Sequence, residues 1–403
     1  MAEIAWLIPR LIDGSGGHRT MLQHAHALEK KGHRCHLYIE GTGAPGETPP
    51  EHVEKRFGYR FENVRFGWGD VRRADLVVAT VWYSAPVVAN LPFPCEKIYF
   101  VQDFEACFFP MGDAFLLAEN SYTHGLTPVT IGRWLRHELQ SRFGTAGWHF
   151  DFGADTAVYR PLPDATRERS VCFIHKPEKP RRCARIGLQA LSIVKHRMPD
   201  VKIQLYGSQE KPRVDFPVEH LGLLDYEACN ALYNRAAVGL CLSSSNPSRI
   251  PFEMMAAGLP VVELWRGNTV HDFPDDAMRL CHQTPEAIAE GLLDVLADPA
   301  LAARMSEAAR AFMRDRAIAI ETEQFCHAVE RVLAGERAAP LEDRERLYRA
   351  GPVFAGERVG VLPAALRARL AEPPNARLNE LPPHLRKFVA WGARTARRLL
   401  EYR

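Results

Sequence analysis

This 403-residue chain contains no apolar run long enough to cross a membrane as a helix. Its first apolar stretch, Ile4–Ile8, is short, has no basic leader and runs directly into a glycine-rich turn, so it reads as a first strand and not a signal peptide. Net charge is nearly absent too. Lys and Arg number 51 against 49 Asp and Glu, and the resulting +2 gives no reason to expect a nucleic-acid partner. The G-x-x-x-x-G-K-[ST] loop that cradles ATP phosphates is missing, which counts against an ATPase. So is G-x-G-x-x-G: Gly14-Ser-Gly-Gly17 comes nearest, but its third position is Arg19, where a dinucleotide fold needs a small residue. A nicotinamide-dependent oxidoreductase therefore fits poorly. The cysteines form no C-x-x-C pair and their number, 9, is odd, as expected of scattered buried thiols in a reducing, cytoplasmic compartment. Histidines 18, 24 and 26 lie near one another, but positions 24 and 26 face different ways on a helix, so no metal is expected. There is no internal repeat and no low-complexity tract.

What is present is an alternation of strands and helices. Ile4–Ile8 leads through Asp13-Gly-Ser-Gly-Gly17 into a helix over about 18–31, where Met21, Leu22, Ala25 and Leu28 recur at helical spacing and Gly32 stops the pattern. Strands are expected at Cys35–Ile39, Leu76–Thr80 and Ile98–Val101, with helical patterns around Glu119–Thr123 and Ile131–Leu139. The polar, proline-containing stretch Asp155–Pro161 reads as a linker. A second series then begins: strand Val171–Ile174, helix Ala184–Arg197, strand Lys202–Tyr206, helix Tyr226–Arg235, strand Val238–Leu242, helix Pro251–Ala257 and strand Val261–Leu264. The implied fold class is α/β, with two facing doubly wound Rossmann-like domains, C-terminal helices and a ligand cleft between the sheets. The expected division is 1–160, 161–335 and a helical extension, 336–403, that packs back on the first domain.

Three segments carry candidate chemistry. The most informative is Asn246-Pro-Ser-Arg-Ile-Pro-Phe-Glu-Met-Met-Ala-Ala-Gly-Leu-Pro-Val-Val-Glu263. Here Pro251 opens a helix, Glu253 sits in its first turn and Gly258 ends it before Pro260. Asn246, Ser248, Arg249, Ile250 and Glu253 crowd one helix entrance, where a carboxylate would point toward the open end of the crevice. A glutamate in a first turn is otherwise simply a cap. The second segment, His175-Lys-Pro-Glu-Lys-Pro-Arg-Arg182, places Lys176, Lys179, Arg181 and Arg182 directly after a buried strand. Arginine forks and mobile lysine charges suit a diphosphate, although a solvated basic loop would look the same. The third is Val101-Gln-Asp-Phe-Glu-Ala-Cys-Phe-Phe-Pro-Met-Gly112, in which Asp103 and Glu105 could orient a sugar and Asp103 could serve as an acceptor base. Two residues apart in extended chain, these carboxylates face opposite ways, which weakens any acid/base pair. Gly16 and Gly17 allow close backbone approach at a helix amino end that could receive a phosphate or a hydroxyl-rich ligand.

Together these segments resemble the retaining nucleotide-sugar glycosyltransferases of two facing Rossmann-like domains, the GT-B architecture, over roughly residues 1–330. Tyr99-Phe-Val-Gln-Asp-Phe-Glu105, Leu117-Ala-Glu-Asn120, Phe150-Asp-Phe-Gly153 and the Arg181 loop are similar to the bacterial rhamnosyltransferases of surface-layer polysaccharide. The resemblance implies a dTDP-L-rhamnose donor as substrate, a saccharide or lipid-linked glycan acceptor, no cofactor and no required metal. It places Gly16 and Gly17 near the transferred sugar, with His18 and Glu105 on the acceptor side. Lys176 and Arg181 fall on the diphosphate, with Lys179 as a further candidate, and Asp103 takes the place of the family's catalytic-region histidine. Glu253 matches the second glutamate of a paired motif and would bind the nucleotide ribose. The first glutamate is replaced by Ser245, so sugar recognition must differ, through backbone amides around Asn246–Arg249.

Two other functions share such a cleft: a nucleotide-sugar or phosphosugar epimerase or isomerase, and a noncatalytic glycan-binding protein. The segment Leu385–Arg403 sets six basic side chains against Glu401, with a helical apolar stripe. It reads either as a terminal helix packed on its own protein or as a peripheral contact with the inner face of the plasma membrane.

Overall fold

A computed structural model describes residues 1–341 and 346–371. The first sheet comprises β1 (Glu3–Ile8), β2 (Arg34–Ile39), β3 (Asn63–Phe66), β4 (Leu76–Ala79), β5 (Glu96–Val101), β6 (Thr127–Ile131) and β7 (Trp148–Phe150). The second comprises β8 (Glu168–Ile174), β9 (Lys202–Tyr206), β10 (Glu219–Gly222), β11 (Ala236–Leu240), β12 (Val261–Leu264) and β13 (Met278–Cys281). The orders are 3-2-1-4-5-6-7 and 10-9-8-11-12-13, and the strand pairs are parallel. Each order reverses beside its first strand, at β1/β4 and at β8/β11, and these switch points open the crevices in which such sheets bind ligands.

Central strands such as β4 (LVVA) and β12 (VVEL) are buried along their whole length, as expected of parallel strands covered on both faces. The helices that cover them start where the caps dictate. Ser15 accepts from the His18 amide for Gly16–Lys30, and Asp225 accepts from the Ala228 amide at 2.8 Å for Tyr226–Arg235. Gly187 lets the helix Ala184–Arg197 lie on β8, since a Cβ there would come within 2.3 Å of the Phe173 ring. Gly132, at φ +83°, turns the chain sharply between β6 and the helix Arg133–Phe143. That turn is why the helical pattern at Ile131–Leu139 starts later than the apolar spacing predicts. The pattern at Glu119–Thr123 is the end of the helix Asp113–Asn120 followed by a single 3₁₀ turn. Strands β3, β7, β10 and β13 are only three or four residues long, too short to announce themselves by periodicity.

After β13 come the helices Pro285–Ala297, Pro299–Met313 and Ile318–Leu333. The last of these returns to the first domain and packs on β6, β7 and the helix Gly16–Lys30. There Phe325 meets Trp6, Phe100, Phe150 and His24 in an aromatic core. Residues 339–341 also touch the first domain, through Arg136 and Gln140, while Tyr348 and Val353 run along the second sheet. Met1–Arg358 forms one unit and the chain from Val359 another, within which the helix Ala364–Ala371 is described. The basic segment Leu385–Arg403 lies outside the described residues. Among the described residues no helix is long and apolar enough to cross a membrane.

Candidate active site

The carboxyl ends of both sheets supply the side chains that meet between the domains. On the first side, the loop after β1 passes Gly14, at φ +70°, and enters the helix Gly16–Lys30 with Gly16 and Gly17 in its first turn. Gln102, just past β5, donates its amide to the Gly17 carbonyl at 3.2 Å and so fixes the glycine turn to the neighbouring strand. His18 is buried beneath this turn against Phe57, and burial lowers its pKa.

Asp103 follows Gln102 and reaches into the second domain. One carboxylate oxygen accepts from the Phe104 amide and from the Asn246 amide, both at 2.9 Å. The other accepts from the Ser245 hydroxyl at 3.1 Å and lies 3.4 Å from Arg181 Nε. Burial raises the Asp103 pKa, and the charges of Arg181 and Arg182 oppose that rise. Glu105 points the other way, as the two-residue spacing predicts. Its carboxyl accepts from the Trp82 amide at 2.9 Å and from the Tyr99 hydroxyl at 3.4 Å inside the first domain, and burial pushes its pKa up to about 8. Asn246 completes the crossing, donating its side-chain amide to the Gln102 carbonyl at 2.9 Å and the Ile131 carbonyl at 3.2 Å.

The basic loop follows β8. Arg181 stacks its guanidinium over the Phe108 ring, 4.3 Å from the centroid, and Arg182 donates to the Ser243 hydroxyl. Lys179 lies in the same field: desolvation first, and then the charges of Lys176, Arg181 and Arg182, lower its pKa. Lys176 runs past Gly207, its stem 3.5 Å from where a Cβ would stand.

The helix Ile250–Ala256 carries Glu253, which is buried and raised to about 7, by desolvation first; Arg249 and a hydrogen bond from Tyr159 pull the other way. Ser248 has its hydroxyl 3.6 Å from Cys241 Sγ. Arg249 is committed elsewhere: it forks onto Glu321 of the returning helix and donates to the Gly153 carbonyl at 2.7 Å. The structure thus gathers Asp103, Arg181, Ser245 and Asn246 at one point. It leaves Glu105 inside the first domain and ties Arg249 into a structural fork.

Sequence reasoning missed Glu321, Tyr159 and Asp272. The Asp272 carboxylate accepts from the amides of Arg133 at 2.7 Å and Trp134 at 3.2 Å, so a second-domain acid caps a first-domain helix. Nothing local in Val270-His-Asp272 signals that role. Among the described residues no three histidine, cysteine or acidic side chains are placed to hold a metal ion. His24 lies tilted against Phe150 in the core, while His26 lies beside Tyr59.

Comparison with known proteins adds to this geometry. Residues 169–293 match the family model described as WsaF, C-terminal domain. Over 290 residues the chain is 31% identical to the O-antigen biosynthesis protein RfbC of Myxococcus xanthus, covering 67% of this chain and 22% of that protein. The chain thus spans about a fifth of the length of that relative. Among solved structures, Anabaena Alr3699/HepE in complex with UDP and glucose superposes with a TM-score of 0.62 at 15% identity, covering 83% of this chain and 100% of that one. A mutant of S. aureus TarM, in complex with Fondaparinux, alpha-GlcNAc-glycerol and UDP, gives 0.63 at 8% identity over 81% and 99%. The fold is that of the GT-B glycosyltransferases.

Proposed function

We propose that this chain is a glycosyltransferase of bacterial surface polysaccharide synthesis that moves a sugar from a nucleoside diphosphate to a saccharide or lipid-linked glycan hydroxyl. The observation that carries the reading is the basic loop after β8 meeting, across the seam, the Asp103 carboxylate after β5. Negative charge grows on the diphosphate as the glycosidic bond breaks, so Lys176, Lys179 and Arg181 stabilise the transition state more than the ground state. These cations supply the positive charge at the leaving group, and transfer is expected to persist in EDTA. Glu253, beside Tyr159, takes the nucleotide ribose; Gly16, Gly17 and the amides of residues 246–250 line the sugar. Asp103 holds Arg181 while the domains are latched and becomes free to accept a proton from an acceptor hydroxyl only when Ser245 and Asn246 release it.

The donor is dTDP-L-rhamnose and the reaction retains the anomeric configuration, both on the strength of the Tyr99–Glu105 and Arg181-loop resemblance. UDP in the HepE and TarM structures supports a nucleoside diphosphate on this architecture. An epimerase needs no acceptor, and a plain glycan-binding protein has no use for the concentrated positive charge at 176–182. The deciding experiment is a thermal-shift panel of nucleoside diphosphates and their sugars, followed by product analysis with and without glycan acceptor. Stabilisation by dTDP and dTDP-rhamnose above UDP and GDP counterparts is expected. Indifference to every nucleotide would overturn the transferase reading, and preference for UDP-sugars would overturn the donor alone.

A further inference from the structure

The carboxyl edge of the first sheet carries a row of rings that the fold buries only in part. Trp68 follows β3, Trp82 and Tyr83 follow β4, and Phe109 follows β5, and all four are partly exposed. Trp68 stacks on Tyr83 with centroids 5.5 Å apart, Tyr83 meets Trp82 edge-on at 5.3 Å, and Trp82 meets Phe109 edge-on at 6.0 Å. The row is held in place from behind. The Trp68 indole donates to the Tyr38 carbonyl at 2.9 Å, the Tyr83 hydroxyl donates to Glu40 Oε2 at 2.7 Å, and the Trp82 amide donates to Glu105. Glu40, just past β2, also accepts from the Arg10 amide at 3.2 Å, and the exposed Arg10 guanidinium lies against Gly41. Anchored, partly exposed rings beside an acid and an exposed arginine, at the end of a parallel sheet where ligands bind, pack on the core from one side and offer the other as a recognition surface.

We propose that Trp68, Tyr83, Trp82 and Phe109 form a carbohydrate subsite for the acceptor, with Glu40 and Arg10 making its polar contacts. One face of a pyranose carries only carbon-bound hydrogens, slightly positive, which suit the negative face of an aromatic ring; the hydroxyls around its rim need charged or polar partners. Rings spaced over five ångströms apart in a row extend beyond one sugar, so the ligand class is an oligosaccharide. The row joins the transfer site through Glu105, which holds the Trp82 amide two residues from Asp103. Buried in that role, Glu105 acts on the acceptor through the rings and is a positioning residue. The assignment rests on the transferase reading only for calling the sugar an acceptor; the stacking surface itself does not depend on it.

Saturation-transfer NMR tests it, using the full chain with methyl glycosides of rhamnose, glucose, galactose, mannose and N-acetylglucosamine, their disaccharides, and, separately, dTDP. The wild type is expected to show signals from sugar ring protons for at least one glycoside, stronger for its disaccharide. Trp68→Ala/Trp82→Ala should lose these signals by at least about tenfold and keep those of dTDP, while Trp82→Phe, which retains a ring, keeps both in part. Retained dTDP signals also show that the variants are folded. Sugar signals that survive in the double variant, or none in the wild type across the panel, would overturn the subsite. Sugar signals without any dTDP signal in the wild type would uphold the subsite and overturn the dTDP donor.

Discussion

Removing the Glu321 carboxylate probes a buried tie between the domains. This acid is fully buried; it takes the Arg249 fork, accepts from the Gly153 amide at 2.7 Å, and lies 3.6 Å from His24 Nε2. In Glu321→Ala the guanidinium of Arg249, whose side chain is only 21% exposed, would stand without its counter-charge, which costs about 3–5 kcal/mol. The orphaned Gly153 amide adds about 1–3 kcal/mol. The two share one carboxylate and do not sum, so a loss of about 4 kcal/mol is expected, a large part of the roughly 5–15 kcal/mol that holds a folded protein together. Glu321→Leu/Arg249→Met removes both charges and should be more stable than Glu321→Ala, with a coupling of at least about 2 kcal/mol. Urea unfolding at constant m-value measures both. Arg249 also opens the helix that carries Glu253, its carbonyl accepting the Glu253 amide at 3.1 Å, so dTDP affinity should fall together with stability. A loss below about 1 kcal/mol for Glu321→Ala, or a double variant no better than the single, would refute the reasoning.

Arg181→Ala should lower kcat for transfer about a hundredfold with the donor KM changed less, because the charge it meets grows in the transition state; steady-state kinetics with KM unaltered and kcat normal would remove the role. Glu253→Ala should weaken dTDP binding about 10–100-fold in calorimetry, the value of hydrogen bonds to a charged group, with the fold intact by circular dichroism. Glu263 is buried, accepts from the amides of Ser243 and Leu264, and is raised to about 8 by desolvation. Its ordinary value is 4.5, so between about 4.5 and 8 the folded chain binds a proton that the unfolded chain does not, and stability falls as pH rises through that window. Glu263→Gln should flatten this slope in urea midpoints measured from about pH 5 to 8; an unchanged slope would refute the assignment.

Much of the architecture was legible because it is local. In the second domain the strand and helix positions follow from apolar runs, from Asp225 as a cap and from Gly258 as a stop, and the observed bounds differ from the expected ones by a few residues. The basic loop after β8 was equally plain, since four cations directly after a buried strand need no partner to be noticed. The opposed directions of Asp103 and Glu105 came from the two-residue pitch of extended chain alone. The short strands and the shift of the Ile131 helix to Arg133 were not legible, because a three-residue strand has no period and the Gly132 turn has no apolar signature.

The sequence by itself determined two strand–helix series, the glycine turn at 14–17, the capped helix at 250–256 and the concentration of charge at 176–182, all set by interactions within a few turns or strands. Only the tertiary structure decided which of these side chains meet. Asp103 finds Asn246 143 positions away, and Arg249 finds Glu321 72 positions away. Such pairings are chosen when two domains pack together and each buried polar group must find a partner, a condition that no local pattern of residues encodes. For the same reason Arg249, expected on a ligand, is spent on a fork, while the rings of Trp68, Trp82, Tyr83 and Phe109 became one surface only because the ends of three strands lie close together.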